Sequence, residues 1–523
     1  MYLIQFIYFY GNLNRCKLYL KISLKTKNQQ KIGAVFTPLE WGKFAIEKFD
    51  IFRQWMAGAT VFDPTMGNGK LLESLMIYGI ENGYAVSEMP LSLLFGNEIN
   101  SAFYNESIAL FHEKYKVDMT ANFTNDDILY LPPKTYDIVF GNPPWQNFVD
   151  LPDDYKQQIK SKFIAYELVD KRQNILLGGA RVDLAALVIQ RTMVDFLMPG
   201  GKAYYFMPLS LFLNDGAHRR FRQFSVKNVS FSLKTIYDFN DLPVFENIGT
   251  RYGLVEFQRD TKPKFPVAFF RYDHNKWEKY LAKPLINSDD PLSVYLPKQA
   301  GFFNDFIPIE VHKDSIPRQG INTCGANDVF LFNSFQSIDE NNCLMDNEYI
   351  LPSAYIFPLL TKNNFKGEAG KVMLPEKWVL LPYNLNGKIL SQAQLDAEPY
   401  LKAYLNRFKN WLQHRRGKLI QTQVNKGLWW AMLGVGRYNF MPYKIVWEAY
   451  GRKSFKPQLV KGNWQVNQSL QAYIPIKQKT EALKILKQLQ NPIIETYLLS
   501  LKMEKTMNWA QPGKIKKLLK IKH

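Results

Sequence analysis

Short apolar runs alternate with longer segments of helical spacing between about residues 32 and 260. The runs cover residues 59–62, 93–95, 138–140, 203–207 and 254–257. Residues 184–197 place apolar side chains at helical intervals, and Pro199 with two following glycines predicts a helix stop before a strand. Strands that alternate with helices in this way indicate a parallel, doubly wound α/β sheet.

The pattern changes after residue 260. Residues 261–300 contain five prolines and are predicted to be an irregular boundary segment or the entry to a second domain. Residues 301–523 have a mixed, aromatic-rich pattern that is helical over 481–501. The predicted organisation is an N-terminal extension over 1–31, an α/β domain over 32–260, the boundary segment, and a mixed α/β domain over 301–523.

The N-terminus and the cysteines bear on location. The apolar start, MYLIQFIYFY, is too short to span a bilayer and lacks the flanks of a signal peptide. A stray upstream extension and a small packed strand both remain open for it. Cys16, Cys324 and Cys343 form no paired spacing, which favours a reducing cytoplasm and argues against a structural zinc site.

The charge is concentrated at one end of the chain. The whole sequence carries a net charge of +19. Residues 401–523 hold 24 Lys or Arg and four Asp or Glu residues, whereas the first 400 residues are nearly neutral. Such a concentration of positive charge suits binding to a phosphate backbone and indicates a nucleic acid partner. A solubilising surface or a basic tail is the alternative.

Residues 61–69, VFDPTMGNG, predict a strand that leads through a tight turn into a helix. Asp63 ends the strand, Gly67 and Gly69 form the turn, and the helix starts near Lys70. Glycines let a backbone approach a ligand closely, and a helix start offers unpaired N–H groups. The segment is therefore a candidate nucleotide-binding turn.

Two further acidic positions follow at strand ends. Glu98 ends the next predicted strand, where a carboxylate can accept hydrogen bonds from both hydroxyls of a ribose. Asp127 lies near the following strand end, beside the position of an adenine ring in folds of this kind, and Asp126 competes for the same role.

Residues 136–145, YDIVFGNPPW, give the strongest indication of the reaction type. A hydrophobic strand ends in Asn142, Pro143, Pro144 and Trp145. Prolines fix φ and remove N–H donors, so the Asn142 side-chain oxygen and the Pro143 carbonyl are held as rigid acceptors. Two such acceptors can bind an exocyclic amine and draw its lone pair out of conjugation with the ring, which makes the amine nucleophilic. Trp145 offers a flat face on which a base can stack.

These segments, in this order, resemble the γ class of amino-methyltransferases, the adenine-N6 DNA methylases of restriction–modification systems. Residues 33–38, GAVFTP, with a predicted helix over 41–49, resemble the family's first motif. Residues 63–69 resemble its cofactor motif and residues 142–145 its catalytic motif, with Trp in place of the commoner Tyr or Phe. The resemblance implies a Rossmann-like S-adenosylmethionine-dependent methyltransferase sheet followed by a C-terminal mixed α/β target-recognition domain.

The resemblance also implies a role for each matching residue. Those implied to bind S-adenosyl-L-methionine are Phe36, Thr37, Pro38, Asp63, Gly67, Gly69, Glu98 and Asp127. The catalytic residues are Asn142, Pro143, Pro144 and Trp145, with Trp145 and Phe245 as walls for the target base. The DNA contacts come from segments that interleave aromatic and basic residues, and are Arg415, Arg416, Lys418 and Arg437. A core position for Phe245 and a solvated turn for residues 415–418 are the alternatives.

The implied function is methylation of adenine N6 at specific sites in double-stranded DNA. A separate restriction endonuclease is the implied partner, and neither a metal nor a membrane is required. A combined restriction and modification subunit, a methyltransferase for RNA or protein glutamine, and a DNA-binding component without catalysis stay open. Cytosine also carries an exocyclic amine, and only the order of the motifs favours adenine.

Overall fold

The computed structural model describes most of the chain in two compact units, Met1–Ala300 and Gly301–His523. The described residues are 35–169, 182–213, 218–240, 242–245, 248–304, 306–361, 364, 374–449, 455–467, 471–501 and 510–522. The predicted N-terminal extension lies outside them, as do Cys16 and the first two residues of the GAVFTP segment.

The first unit is built on an eleven-stranded sheet. Its strands are β1 (Val61–Asp63), β2 (Leu94–Asn97), β3 (Phe123–Thr124), β4 (Tyr136–Gly141), β5 (Leu197–Pro208), β6 (Ser225–Val226), β7 (Val229–Asp238), β8 (Tyr252–Arg259), β9 (Val267–Asp273), β10 (Lys276–Pro284) and β11 (Leu292–Tyr295). Its helices are α1 (Leu39–Phe49), α2 (Ile51–Met56), α3 (Lys70–Glu81), α4 (Ser101–Tyr115), α5 (Asp153–Ala165), α6 (Leu184–Asp195) and α7 (Ser210–Leu213).

The strand order along this sheet is β11-β10-β9-β7-β8-β5-β4-β1-β2-β3, with β6 paired to β7. Strands β3, β2, β1, β4 and β5 are parallel neighbours, which confirms the Rossmann-like prediction. The sheet is mixed rather than parallel throughout, because β8 runs antiparallel to both β5 and β7. The chain joins β7 to β8 by a loop rather than by a crossover helix, and such a connection returns the chain antiparallel.

The core explains why the five apolar runs form strands. Three of them lie within β4, β5 and β8, and the other two overlap β1 and β2. Ile138, Val139 and Phe140 in β4 are consecutive and all buried, as expected of a parallel strand covered on both faces. The predicted helix and the strand after it are both present, but the helix ends earlier than the Pro199 segment predicts. Helix α6 ends at Asp195 and β5 begins at Leu197, so residues 199–201 lie inside the strand, where Gly200 adopts a φ of 78°.

Residues 261–300 also differ from their prediction. They are not irregular, because β9, β10 and β11 extend the sheet of the first unit. His274 and Asn275 join β9 to β10 with positive φ angles, as a two-residue hairpin turn requires. The prolines stand before, between or at the ends of these strands, where no ladder N–H is lost.

The second unit holds four smaller sheets, with strand orders β12-β24, β13-β23-β20-β21, β14-β19-β18-β22 and β15-β16-β17. The strands are β12 (Ile309–His312), β13 (Arg318–Gln319), β14 (Leu331–Phe332), β15 (Phe335–Ser337), β16 (Asn342–Met345), β17 (Tyr349–Pro352), β18 (Ile356–Leu360), β19 (Lys377–Leu380), β20 (Tyr443–Glu448), β21 (Gln458–Lys461), β22 (Gln465–Val466), β23 (Gln471–Ile476) and β24 (Leu519–Lys522). The helices are α8 (Ala300–Asn304), α9 (Asn327–Phe330), α10 (Gln392–Asp396), α11 (Pro399–Arg407), α12 (Lys409–Gln413), α13 (Lys418–Val424), α14 (Lys479–Leu489), α15 (Pro492–Ser500) and α16 (Pro512–Lys516).

This arrangement confirms a mixed α/β fold for the C-terminal region. The helical stretch predicted over 481–501 is present, but it is divided into α14 and α15. Pro492 begins the second helix, at the first helical position, where a missing N–H costs nothing. Among the described helices, none has both the length and the apolar character that crossing a bilayer requires.

Candidate active site

A cavity of about 300 Å³ lies where β1, β2 and β4 reach their carboxyl ends. In open α/β sheets this edge is the usual place for a ligand. The residues predicted from the sequence that line the cavity are Phe36, Thr37, Asp63, Gly67, Glu98, Asp127, Asn142 and Pro144. Two others precede helices instead, Pro38 before α1 and Gly69 before α3. The fold therefore collects most of the predicted cofactor residues around one space.

The turn between β1 and α3 depends on its two glycines. Gly67 has a φ of 58°, and a Cβ atom there would lie 2.6 Å from Cε1 of Phe36. Gly69 has a φ of 78°, and its Cβ atom would lie 3.0 Å from that of Ser107. L-residues with side chains rarely adopt such φ values. Both the backbone conformation and the lack of space therefore favour glycine at these two positions, and the approach of this turn to a ligand stays a prediction.

Two buried carboxyl groups hold this turn in place. Glu98 accepts the backbone N–H of Gly67 at 2.9 Å through Oε2 and that of Asn100 at 2.7 Å through Oε1. Asp63 is 1% exposed and accepts the N–H of Thr65 at 3.0 Å. Burial raises the pKa of Asp63 to about 8, the nearby charge of Glu98 adds to this, and the Thr65 bond opposes it. Burial likewise raises the pKa of Glu98.

Of the two competing acids, only Asp127 lines the cavity. Asp126 is exposed, and its side chain accepts the N–H of Asp127 at 2.7 Å. The Asp127 carboxylate accepts the N–H of Leu129 at 2.9 Å through Oδ1 and the hydroxyl of Tyr155 at 3.1 Å through Oδ2. Sequence reasoning missed Tyr155, because a tyrosine in the polar stretch that forms α5 carries no ligand-binding signal.

Asn142 leaves β4 with its amide already oriented. Its Nδ2 donates to the carbonyl of Val35 at 2.7 Å and to Oγ1 of Thr37 at 3.2 Å. Its Oδ1 is buried and has no hydrogen-bond partner among the described residues. Buried acceptors are normally paired, so an unpaired one in a cavity wall points to a donor that a ligand brings. This oxygen is the one that the Asn-Pro-Pro-Trp segment predicts to be an acceptor for an amine.

Trp145 lies in an aromatic cluster with Phe245 and Tyr252. The Phe245 ring meets Trp145 edge-on, with centroids 4.9 Å apart and an interplanar angle of 85°. Tyr252 covers another side of Trp145, with centroids 5.5 Å apart. The Tyr252 hydroxyl donates to the carbonyl of Leu242 and accepts the N–H of Phe245 at 3.3 Å. Phe245 therefore contacts Trp145, as the predicted second wall would, and is also buried in the core.

Arg415 does not fit its predicted role as a DNA contact. Its side chain is 3% exposed, and its three nitrogens donate to backbone carbonyls. The acceptors are Leu412 at 3.0 Å, Thr323 at 3.1 Å and Trp429 at 2.7 Å. The guanidinium joins three segments of the second unit and is not available to a phosphate.

The other predicted DNA contacts are at the surface. Arg416, Lys418 and Arg437 are all exposed. Two aromatic residues of the interleaved segments are not, because Trp429 and Trp430 belong to the core of the second unit. These segments therefore contribute both to the surface and to the core of the second unit.

Comparison with known protein families finds a match within the first unit. Residues 76–245, about a third of the chain, match the model of the family described as Eco57I restriction-modification methylase. The matched segment includes Glu98, Asp127 and Asn142. The first unit thus contains a restriction–modification methylase domain, and the predicted resemblance to that group is confirmed.

Solved structures of restriction–modification enzymes are among those similar to this chain. The type IIL enzyme MmeI, solved with DNA, is 12% identical, with a TM-score of 0.50 over 90% of this chain and 64% of MmeI. A nuclease-deletion mutant of the type ISP enzyme LlaGI, solved with a DNA substrate mimic, is 14% identical, with a TM-score of 0.45 over 84% of this chain and 42% of LlaGI.

A type I methyltransferase subunit from Streptococcus thermophilus is 17% identical, with a TM-score of 0.31 over 46% of this chain and 50% of that one. The chain therefore spans less than two thirds of the length of each of these three proteins. At these identities the likeness to MmeI concerns the fold. No curated protein matched the sequence.

Proposed function

We propose that this protein transfers a methyl group from S-adenosyl-L-methionine to N6 of adenine at specific sites in double-stranded DNA. In this proposal it is the modification part of a restriction–modification system, with a separate endonuclease. The observation that carries the proposal is the buried, unpaired Oδ1 of Asn142 in the wall of a cavity lined by carboxyl groups. The methylase family match includes this residue.

The side chains of the cavity fit the cofactor. Asp63, Glu98 and Asp127 line it together with Lys70, so acids outnumber bases among the described lining residues. S-adenosylmethionine carries a sulfonium, an ammonium and one carboxylate, and a net cation suits such a site. Ile99 adds apolar surface next to Glu98, as a nucleoside requires.

Bound in this cavity, the cofactor would supply an electrophilic methyl group, with its sulfur–methyl bond breaking to leave S-adenosylhomocysteine. The residues proposed to hold its methionine end are Phe36, Thr37, Pro38 and Asp63, together with the turn of Gly67 and Gly69. Glu98 is proposed to bind the ribose, although each of its oxygens already accepts one backbone N–H. Each carboxylate oxygen has a second lone pair for a ribose hydroxyl. Asp127 is proposed to bind the adenine amine.

Asn142 and Pro143 act on the target amine. The amine donates to Oδ1 of Asn142 and to the Pro143 carbonyl, so its lone pair is directed away from the ring and towards the methyl group. The proton that the amine carries in excess after the transfer leaves to water. Much of the rate enhancement comes from holding amine and methyl in line. The proposed step does not call on a metal.

The target adenine has to leave the duplex stack to reach this site. Extruding a base costs a few kcal/mol. Stacking on an aromatic side chain contributes about 1–3 kcal/mol per base, and Trp145 is proposed to offset the cost in this way. Phe245, which contacts Trp145 edge-on, is proposed as the second wall. Exposed Arg416, Lys418 and Arg437 are proposed to contact the DNA.

Replacing Asn142 tests the mechanism. In Asn142→Ala we expect methyl transfer to genomic DNA, measured with a tritiated methyl donor, to fall about a hundredfold or more, as when one preorganised hydrogen-bonding group is removed. Cofactor affinity, measured by calorimetry, should stay within about twofold, because the expected cofactor contacts lie on other residues. Asn82→Ala, on the exposed end of α3, is the control and should keep full activity. Full activity in Asn142→Ala would exclude the mechanism.

The substrate class needs a separate test. The charge of residues 401–523 supports DNA or RNA over a protein glutamine. Parallel assays on duplex DNA, RNA and protein would separate these classes, and modification-sensitive sequencing of DNA from expressing cells would report the methylated base and its context. We expect N6-methyladenine in one short sequence. Methylated cytosine, or label only in RNA or protein, would refute the proposal.

A further inference from the structure

We infer that Tyr155 is a positioning residue of the cofactor cavity. Its hydroxyl orients the Asp127 carboxylate, and this makes the cavity select a ligand whose purine carries a 6-amino group over one with a 6-oxo group. The inference rests on the proposed function, because it takes the ligand to be an adenosyl compound.

Tyr155 lies in the wall of the cavity and contacts Asp127. Tyr155 lies in the first turn of α5 and lines the cavity, as do Leu151 and Pro152 just before it. The chain that leaves Trp145 therefore returns to the cavity within ten residues. There the Tyr155 hydroxyl donates to Oδ2 of Asp127 at 3.1 Å.

The two donors on Asp127 fix the direction of its carboxylate. Leu129 N–H binds Oδ1 at 2.9 Å, so the Tyr155 hydroxyl on Oδ2 completes a two-point attachment. A carboxylate is only an acceptor. Each oxygen keeps a lone pair for a ligand donor.

A fixed acceptor distinguishes two purines that differ at one position. A 6-amino group donates to it, whereas a 6-oxo group places acceptor against acceptor. Sites built to pair one polar group reject the analogue that lacks it, because the protein group is then left unpaired. Without the Tyr155 hydroxyl, the carboxylate is held through Oδ1 and can turn to relieve the repulsion.

Tyr155 keeps its proton as a donor under assay conditions. Burial raises the pKa of Tyr155, and the charge of Asp127 raises it further. The hydroxyl therefore remains a donor across neutral and mildly basic pH, and the orientation it imposes does not vary with pH in that range.

The test compares two ligands on the full-length protein. S-adenosylhomocysteine and its deaminated analogue, S-inosylhomocysteine, are titrated calorimetrically into the wild type and Tyr155→Phe. We expect the wild type to prefer the adenine ligand and Tyr155→Phe to narrow that preference about tenfold, the scale of one hydrogen bond to a charged group. An equal loss of affinity for both ligands would show a merely structural role and overturn the inference, as would an unchanged or larger preference.

Tyr130→Phe is the matched control. Tyr130 donates its hydroxyl to the carbonyl of Gln158 in the same helix at 3.0 Å, but it does not line the cavity. This variant also loses one tyrosine hydrogen bond to α5, and we expect it to keep the wild-type ligand preference. A preference narrowed as much as in Tyr155→Phe would assign the effect to the helix and overturn the inference.

A double-mutant cycle makes the result independent of folding losses. Asp127→Asn presents an amide in place of the carboxylate, and in that background Tyr155→Phe should leave the ligand preference unchanged. Additive effects of the two substitutions would overturn the inference.

The two proposals fail in different ways. If the wild type binds neither ligand, the proposed function fails, and the inference fails with it. If the wild type prefers the adenine ligand and Tyr155→Phe does so equally, only the inference fails.

Discussion

Burial in the cavity changes the protonation state of a single side chain from the one it would have in water. Asp63 is almost wholly buried beside Glu98, and this raises its pKa to about 8. At neutral pH the carboxyl group is therefore mostly protonated in the free protein. A cation that enters the cavity favours the ionised form, so its binding is coupled to the release of a proton.

The affinity for S-adenosylmethionine should accordingly depend on pH. We expect it to rise between about pH 6 and the Asp63 pKa of about 8, because below that pKa binding must first remove a proton. Above pH 8 this contribution is complete and the affinity levels off. Calorimetry in buffers of different ionisation enthalpy measures the proton release directly.

Asp63→Asn supplies the control for this coupling. The amide has the same shape and keeps an acceptor for the Thr65 N–H, but it does not titrate. The variant should bind more weakly and show no pH dependence from this position. If it shows the wild-type profile and proton release, another group is responsible.

At the scale of secondary structure, the turn between β1 and α3 makes the cavity possible. It has to pass close to Phe36 while adopting left-handed backbone angles at two positions. Glu98, at the end of β2, binds the turn from the neighbouring strand. The turn, the first motif and the end of β2 therefore form one structural unit around the cavity.

Gly67→Ala should disrupt that unit. Its Cβ atom would lie 2.6 Å from Phe36 Cε1 at a φ of 58°. We expect the positive φ to cost about 1–2 kcal/mol and the overpacking about 1–3 kcal/mol more. Gly83 also has a positive φ, of 87°, but a Cβ atom there would meet no atom within 4 Å. Gly83→Ala should therefore lose only the stability that the positive φ costs. Thermal unfolding and cofactor titration of both variants would show this, and equal destabilisation would mean that the proximity of Phe36 is unimportant.

At the scale of the whole molecule, the methylase segment and the excess of positive charge lie in different parts of the sequence. The methylase match lies in the first unit, whereas the excess of basic residues lies beyond residue 400, in the second. In the proposed function the first unit modifies a base and the second supplies most of the attraction for the phosphate backbone.

The dependence of DNA binding on salt should follow from that division. Changing Arg416, Lys418 and Arg437 to Ala together should reduce the slope of log affinity against log salt by about 0.9 for each phosphate that the protein no longer neutralises. Replacing two exposed cations of the first unit, Arg53 and Lys116, should leave the slope nearly unchanged. Fluorescence anisotropy over a salt series measures both, and equal slopes for all variants would place the DNA elsewhere.

Features of the fold and site that depend on neighbouring residues in the sequence could be predicted. Features that depend on contacts between distant residues could not. Strand ends carry their polar residues in the sequence, so Asp63, Glu98 and Asn142 could be assigned to one edge of the sheet before the structure was known. The Asn-Pro-Pro-Trp segment is equally local, since its prolines restrict the backbone on their own.

Arg415 and Tyr155 show what a linear reading misses. A pair of arginines followed by glycine is typical of an exposed turn, yet the carbonyls of Thr323 and Trp429 bury Arg415. Tyr155 gains its place from Asp127, which is 28 positions away. The strands β9 to β11 were missed for a related reason, because prolines at strand ends are indistinguishable in sequence from those of an irregular linker.

The orientation of the Asn142 amide is settled when the chain folds, by its bonds to Val35 and Thr37. An acceptor fixed in advance treats every exocyclic amine that reaches it alike, whether it belongs to adenine or to cytosine. In the proposed reaction, fidelity for the base therefore has to reside in the walls near Trp145 and Phe245. An engineer who wishes to retarget the enzyme from one base to the other would reshape those walls and leave Asn142 untouched.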